Sequence, residues 1–179
     1  MEAREKYEKF ISEDSPIIEN IIGYSFKNKK LLRQAFVHPS CRNMFADGDE
    51  LEFIGDKILS TVLVYKNTKS IMKPDGTIGV GKELSKLNKT VGKRSQNKTL
   101  AENILRKNLL DYLIVAKNTK LTNSSKSVAD LFEAIIGAIA IDTNWDIPKI
   151  ESIYEGMSNS TIRGKGLLVR INSTKGIKK

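Results

Sequence analysis

The chain has 179 residues, 40% of them hydrophobic, which is enough for one domain with a buried core. It contains one cysteine, Cys41, and one histidine, His38, which excludes an internal disulfide, a cysteine-based zinc site and any site built on several histidines. The formal net charge of +9 favours a polyanionic partner, although an inert basic surface would explain the charge alone equally well.

Nothing in the sequence predicts insertion into a membrane or transport across one. No segment approaches the roughly 20 apolar residues of a membrane-spanning helix. The charged N-terminal segment lacks the apolar region of a secretory signal. A lone cysteine is also typical of reducing compartments. We therefore expect an intracellular protein without membrane contact, located in the nucleus or in the cytoplasm.

The first half of the chain is predicted to be helices joined by loops. Its longest helix has apolar residues at three- and four-residue steps, which makes it amphipathic. In chain order we predict a lead-in over 1–14 that is helical or frayed, a short helix that Ser15-Pro16 starts and Gly23 ends, a helix from Asn28 stopped by His38-Pro39-Ser40, a loop over 41–48, the long helix over 49–66 and a loop over 66–81.

The second half is also predicted to be helical, apart from its basic end. In chain order we predict helices over 82–93 and 98–107, a short helix or turn over 109–115, a polar loop over 117–126, a buried helix over 128–142 with Ser127 as its N-cap, and a C-terminal helix that opens at Trp145 and Pro148 and runs to about Tyr154. The predicted fold class is all-α, with one domain over 1–155 and a basic tail over 156–179.

Two of the apolar helices each carry a pair of carboxylates on one face. Glu52 and Asp56 lie four residues apart in the first helix, and Asp130 and Glu133 lie three apart in the second. Burying unpaired carboxylates costs on the order of several kcal/mol, and a divalent metal ion with oxygen ligands would offset that cost. Surface ion pairs for the first pair, and a favourable position at a helix start for Asp130, are simpler explanations of the same residues.

Positive charge is concentrated in two segments outside these helices. Residues 82–107 carry eight Lys and Arg against two Glu, and residues 155–179 carry six against one. Their combined excess is larger than that of the whole chain, so the remainder is slightly acidic. We predict phosphate contacts at four residues of the first segment, against the simpler alternative of a solvated helix face. They are Lys86, Lys93, Arg94 and Lys98.

Four sequence blocks occur in the order found in one known family. In chain order they are LLRQAFVHPS, DELEFIGDKIL, KELSKLNKTVGKRSQNKTLAENI and DLFEAIIGAIAID. The second block resembles the diagnostic motif of ribonuclease III domains, N-E-R-L-E-F-L-G-D-x-x-L, and the other three resemble further segments of the same domains. The resemblance covers about residues 17–154.

The resemblance implies a catalytic site and its cofactor. The four carboxylates would be catalytic residues and would hold divalent metal, normally Mg²⁺, with Mn²⁺ as a plausible substitute. They are Glu52, Asp56, Asp130 and Glu133. The implied reaction is hydrolysis of double-stranded RNA that leaves a 5′ phosphate and a 3′ hydroxyl, in RNA processing or RNA silencing.

The resemblance also implies a homodimer, in which each subunit cuts one strand and short 3′ overhangs result. Leu51, Phe53 and Ile54 lie on the helix that forms the dimer surface of the family. A core position is the alternative for each of them, and for Phe53 the two explanations are equally good. Many members carry a double-stranded-RNA-binding domain after the catalytic one. The 25 residues after Tyr154 are too few for that module, so we expect the catalytic domain without it.

The alternative function is a catalytically silent double-stranded-RNA-binding or ribosome-associated protein of the same fold. Such relatives typically lose one or more of the carboxylates, and all four are present here. A helical nucleotide phosphohydrolase usually has His-Asp pairs, and this chain has a single histidine. We interpret that residue, His38, as packed and hydrogen-bonded rather than as a catalytic base.

Overall fold

Helices make up the regular structure of the protein in the computed structural model, which describes residues 3–69, 71–78, 82–119 and 125–159. Within these ranges there is no strand, and backbone pairing outside helices is limited to two isolated bridges, Val37 with Ile114 and Met72 with Ile78. The predicted all-α fold class is confirmed. No helix in the described ranges has the length and apolar character needed to cross a bilayer.

The described part of the chain has eight α-helices and two short 3₁₀ turns. The helices are α1 (Ala3–Lys9), α2 (Asp14–Ile22), α3 (Lys29–Ala35), α4 (Asp49–Thr68), α5 (Lys82–Arg94), α6 (Asn97–Arg106), α7 (Ser125–Asp142) and α8 (Ile147–Ser158). The 3₁₀ turns are Pro39–Cys41 and Leu109–Tyr112.

Helix α7 is the centre of the fold. From Val128 to Ala140 almost every side chain is buried, on all faces of the helix, as expected for a helix enclosed by others. Its main neighbours are α4 and α6, with α3 and α8 completing the enclosure. Its C-terminal end is held by Asp142, which accepts hydrogen bonds from the Tyr24 hydroxyl at 2.6 Å and from the amides of Lys27 and Asn28.

Two glycines allow α4 and α7 to cross with their backbones in contact. A Cβ atom on Gly55 of α4 would lie 1.8 Å from the Glu133 carbonyl oxygen, and one on Gly137 of α7 would lie 2.0 Å from the Leu51 carbonyl oxygen. No side chain fits at either position, because backbone atoms cannot move aside as a flexible side chain can. The crossing therefore depends on both glycines.

The lead-in helix α1 is docked rather than frayed. The Tyr7 ring stacks on Phe45 with centroids 3.9 Å apart, and the Arg33 guanidinium lies 3.9 Å from the Tyr7 centroid on the same ring. The Lys6 ammonium donates hydrogen bonds to the carbonyls of Asp111 and Leu113. These contacts connect α1 to the loop before α4 and to the second 3₁₀ turn. The single thiol, Cys41, is fully buried in the same region of the core.

Several predicted boundaries are wrong. Helix α7 begins at Ser125, so Ser127 lies inside its first turn and is not the N-cap. Helix α8 is capped by Asp146, which accepts from the Lys149 amide, and Trp145 precedes it in a left-handed conformation with φ of 63°. The same helix runs to Ser158, so residues 156–158 of the predicted tail are helical; residues 160–179 lie outside the described ranges.

We expect Gly137→Ala to lower the free energy of unfolding by about 3 kcal/mol, because the new methyl group would overlap the Leu51 carbonyl. Urea denaturation followed by circular dichroism measures this. Gly156→Ala in α8 is the matched control, because a Cβ there meets no atom within 4 Å. The control should be neutral or stabilising by up to about 1 kcal/mol. Equal effects of the two substitutions would contradict the crossing constraint.

Candidate active site

The carboxylates of α4 face an open cleft. Glu52 and Asp56 are one helical turn apart, with 30% and 46% of their side chains exposed. Asp56 directly follows the crossing glycine of α4, Gly55, and Glu52 lies three residues before it, so both emerge near the point where α4 is closest to α7. The position of the pair is thus set by the helix crossing.

The carboxylates of α7 face the same cleft. Asp130 is 27% exposed in its side chain, and Glu133 is buried. The helix dipole favours negative charge in the first turn of a helix. Asp130 is the sixth residue of α7 and lies beyond that turn. The simpler explanation of Asp130 as a residue at a helix start is therefore wrong.

Three of the four carboxylates form a tight group. Glu52, Asp130 and Glu133 can each offer an oxygen such that all three oxygens lie within 4.8 Å of one another. In an octahedral Mg²⁺ site neighbouring ligand oxygens are about 3.0 Å apart and opposite ones about 4.2 Å. The three side chains would therefore have to move together by up to about 2 Å to share one cation. Asp56 lines the same cleft but lies outside this group of three. We call Glu52, Asp130 and Glu133 the carboxylate cluster.

Burial and mutual repulsion raise the proton affinity of the cluster. The pKa of Glu133 is raised to about 7, mainly because burial disfavours the charged form, and further because Asp56, Asp130 and Glu52 repel a negative charge there. Burial and the neighbouring Asp130 also raise the pKa of Glu52. An environment that strains carboxylates in this way is typical of functional sites.

Two lysines contact the carboxylates of the cleft. The Lys126 ammonium lies 3.2 Å from both oxygens of Asp130 and 4.0 Å from Glu52 Oε1. The Lys57 ammonium lies 2.6 Å from Asp56 Oδ2. Both lysine side chains are largely exposed, at 71% and 66%. Each lysine thus places its charge beside a carboxylate of the cleft, and Lys126 also lines the cleft itself.

His38 is packed and hydrogen-bonded, as predicted. Its Nδ1 accepts a hydrogen bond from the Ser40 amide at 3.0 Å, so the neutral ring carries its proton on Nε2. Burial lowers the pKa of His38, which favours the neutral form. The residue also lines a small cavity that adjoins Glu52 and Asp130.

A basic groove runs along α5 and the start of α6. Its lining includes Lys86 and Lys93, two of the residues predicted to contact phosphate, and also Lys89, which lies on the same helix face. All three lysines are exposed. Lys98 is exposed but does not line the groove. We call Lys86, Lys89 and Lys93 the α5 lysine face.

Arg94 also lines this groove, but its guanidinium is already engaged. Its Nη1 donates to Glu155 Oε1 at 2.9 Å, and Lys66 donates to the same oxygen. Burial would raise the pKa of Glu155, but the two cationic partners outweigh burial and lower it. The contact joins α5 to α8, so Arg94 is a weaker candidate for phosphate than the α5 lysine face.

The three predicted dimer residues differ in accessibility. Phe53 is 68% exposed, so its interpretation as a core residue is wrong. Ile54 is half-buried. Leu51 is 2% exposed and packs in the core of its own chain, as the alternative of a core position predicts. Phe53 and Ile54 line a shallow depression together with Arg42, Asp49 and Glu50.

A family model described as Ribonuclease-III-like matches residues 28–147, which is more than half of the chain and contains all four carboxylates. The chain belongs to the ribonuclease III family. It is 37% identical over 162 residues to Ribonuclease 3 of Roseburia hominis, covering 79% of this chain and 45% of that protein. It is 32% identical over 158 residues to Ribonuclease 3 of Treponema succinifaciens, covering 81% and 41% respectively.

The fold is that of ribonuclease III nuclease domains. The nuclease domain of ribonuclease III from Campylobacter jejuni superposes with a TM-score of 0.68 at 23% identity, covering 86% of this chain and 99% of that one. A second structure of that domain, described by its flexibility in a region involved in dimer formation, gives 0.64 at 24% identity, covering 78% and 92%. The chain spans less than half of the length of the first two family members above.

Sequence reasoning missed four residues of the site region. Lys126 precedes Asp130 by four residues and Lys57 follows Asp56, so helical spacing could have indicated both. Lys89 shares a helix face with Lys86 and was identifiable in the same way. Asn97, which lines the cleft from the first position of α6, gave no signal because its place depends on the turn between α5 and α6.

We expect the stability of the metal-free protein to fall as pH rises from about 4.5 to about 7. In this window folded Glu133 holds a proton that the unfolded chain has released, because its folded pKa is the higher one. The contribution reaches roughly 3 kcal/mol above the window. Urea midpoints in EDTA at pH 5 and pH 7.5 measure the decline. Glu133→Gln should flatten it, and an unchanged decline in that variant would contradict the assignment.

Proposed function

We propose that this chain is the catalytic part of a metal-dependent endoribonuclease that hydrolyses the phosphodiesters of double-stranded RNA. The observation that carries the proposal is the convergence of four carboxylates from two crossing helices on one open cleft, within a chain of strongly basic charge. Two relatives that share the domain carry the name Ribonuclease 3. The products would be a 5′ phosphate and a 3′ hydroxyl.

The carboxylate cluster would hold Mg²⁺, with Mn²⁺ as a substitute, and Asp56 would support the cations from the side of the cleft. Divalent cations bound there would activate a water and stabilise the oxygen that leaves the phosphorus. The protein contributes a fixed array of oxygens, because the helix crossing leaves Glu52 and Asp130 little freedom to separate. Preorganisation of this kind is a major source of catalytic power.

The α5 lysine face would bind the phosphates of the duplex. Duplex RNA is recognised mostly through its shape, its 2′-hydroxyls and its phosphates, so a row of lysines without base-reading side chains suits this substrate. The face lies on the helix that leads into α6, and the first residue of α6, Asn97, lines the cleft. A duplex bound to α5 would therefore pass near the carboxylates.

A homodimer would supply the second cut. Each chain has one carboxylate quartet, so cleavage of both strands requires two chains related by a twofold axis. Phe53 is the strongest candidate for the contact, because it is 68% exposed and lines both the cleft and the shallow depression beside it. Two active sites held across such a contact would leave short 3′ overhangs.

We expect Glu133→Ala to reduce cleavage of a long RNA duplex in Mg²⁺ by at least about 1,000-fold, because it removes the most buried oxygen ligand. Gel analysis of a labelled duplex measures both rate and product length. Duplex affinity, measured by filter binding in Ca²⁺, should remain within about 3-fold of wild type. Glu102→Gln, an equally local change at an exposed site outside the cleft, is the control and should cut normally.

Two results would contradict this assignment. Cleavage by Glu133→Ala at the wild-type rate would remove Glu133 from the site. Absence of cleavage by the wild-type protein, together with tight duplex binding, would favour the catalytically silent RNA-binding protein instead.

We expect Lys89→Gln with Lys93→Gln to weaken duplex binding by about 10-fold at low salt, since two phosphate contacts are lost. The slope of log affinity against log salt should become less steep by about 2. Titrations at several salt concentrations in Ca²⁺ measure both quantities. Lys27→Gln with Lys30→Gln removes the same charge from exposed positions outside the groove and should leave the slope nearly unchanged. Equal effects would place the RNA elsewhere.

A further inference from the structure

Lys126 lines the cleft but has no role in the reaction proposed above. It is the second residue of α7, and its ammonium lies 3.2 Å from Asp130 Oδ1 and 3.2 Å from Asp130 Oδ2. The same ammonium lies 4.0 Å from Glu52 Oε1. Lys126 thus contacts two of the three members of the carboxylate cluster, one on each of the crossing helices.

Its contacts involve the oxygens that a cation would use. Since Lys126 reaches both oxygens of Asp130, whichever of them binds a cation is an oxygen that Lys126 also binds. A cation about 2.1 Å from that oxygen would lie within roughly 5 Å of the ammonium. Two positive charges at that separation repel each other, although solvent screens the largely exposed ammonium.

We propose that Lys126 competes with divalent cations for the oxygens of Asp130 and Glu52, and so sets the concentration of free divalent cation at which the site fills. The inference rests on the proposed function, because it takes the carboxylate cluster to be a cation site. Lys126 acts through Asp130 and Glu52 and is therefore a positioning residue. Its side chain is 71% exposed, so it can swing into solvent without unpacking the core.

Lys57 provides an internal comparison for this role. It is a lysine of similar exposure at the same cleft, but its ammonium contacts Asp56, which is outside the carboxylate cluster. Removing Lys57 deletes the same charge from the same region without freeing an oxygen of the cluster. The pair of lysines therefore separates competition at the oxygens of Asp130 and Glu52 from the effect of removing a lysine elsewhere near the cleft.

The experiment measures Mn²⁺ binding to the full chain without RNA, using the electron paramagnetic resonance signal of free Mn²⁺. We expect Lys126→Met to lower the dissociation constant for Mn²⁺ by about 10-fold, and Lys57→Met to lower it by less than about 3-fold. Lys126→Arg, which keeps the charge, should remain near wild type. Glu133→Gln tests whether the carboxylate cluster is the binding site. It should weaken Mn²⁺ binding in the wild type and in each of the lysine variants.

Each other result has a defined meaning. If wild type and Glu133→Gln bind Mn²⁺ differently but Lys126→Met binds it like wild type or more weakly, the competition is overturned and the proposed function stands. If Lys57→Met tightens binding as much as Lys126→Met, the effect is not specific to the oxygens of Asp130 and Glu52. The inference about Lys126 then fails, and the proposed function stands. If Glu133→Gln binds Mn²⁺ like wild type, the cluster is not the cation site, and both the inference and the proposed metal site fail.

Discussion

The contact between the backbones of α4 and α7 is the constraint on which the rest of the molecule depends. Gly55 and Gly137 leave no room for a side chain, so the two helices approach until each meets a carbonyl of the other. Glu52 lies three residues before Gly55, and Glu133 lies four residues before Gly137. Because the two helices are close, Glu52 and Glu133 are also close to each other. Helices at the usual axial separation of roughly 8–10 Å would hold the same carboxylates further apart.

The arrangement has an energetic cost that falls on the site itself. Three carboxylates whose oxygens lie within 4.8 Å of one another repel, and the burial of Glu133 adds a desolvation penalty. Exposed lysines at the rim offset part of this cost, and the surrounding apolar packing of α7 supplies the rest of the stability. The carboxylates that would bind a cation therefore destabilise the fold, while the apolar core around them stabilises it. This division is common in enzymes, where strain concentrates at the site.

The sequence predicted the helices well where apolar periodicity was strong and less well at their ends. The long helix predicted over 49–66 extends only two residues further, to Thr68, because its apolar pattern is regular. The residue type of Ser127 predicts an N-cap, but the helix begins two residues earlier. Caps depend on local backbone geometry that composition does not specify. The four carboxylates were predicted from spacing and from a family resemblance. The burial of Leu51 against the exposure of Phe53 could not be predicted, because both residues are apolar and only tertiary packing decides which one faces the core.

The burial of Cys41 has a practical consequence for spectroscopy. Its thiol is the only one in the sequence, is fully buried, and lies 3.8 Å from the Ile114 carbonyl oxygen. Burial also raises the pKa of the Cys41 thiol, which disfavours the reactive thiolate. A cysteine introduced at an exposed position would therefore be alkylated far faster than the native one. The wild-type background is already suited to single-site attachment of spin labels or fluorophores, without prior removal of a native residue from the core.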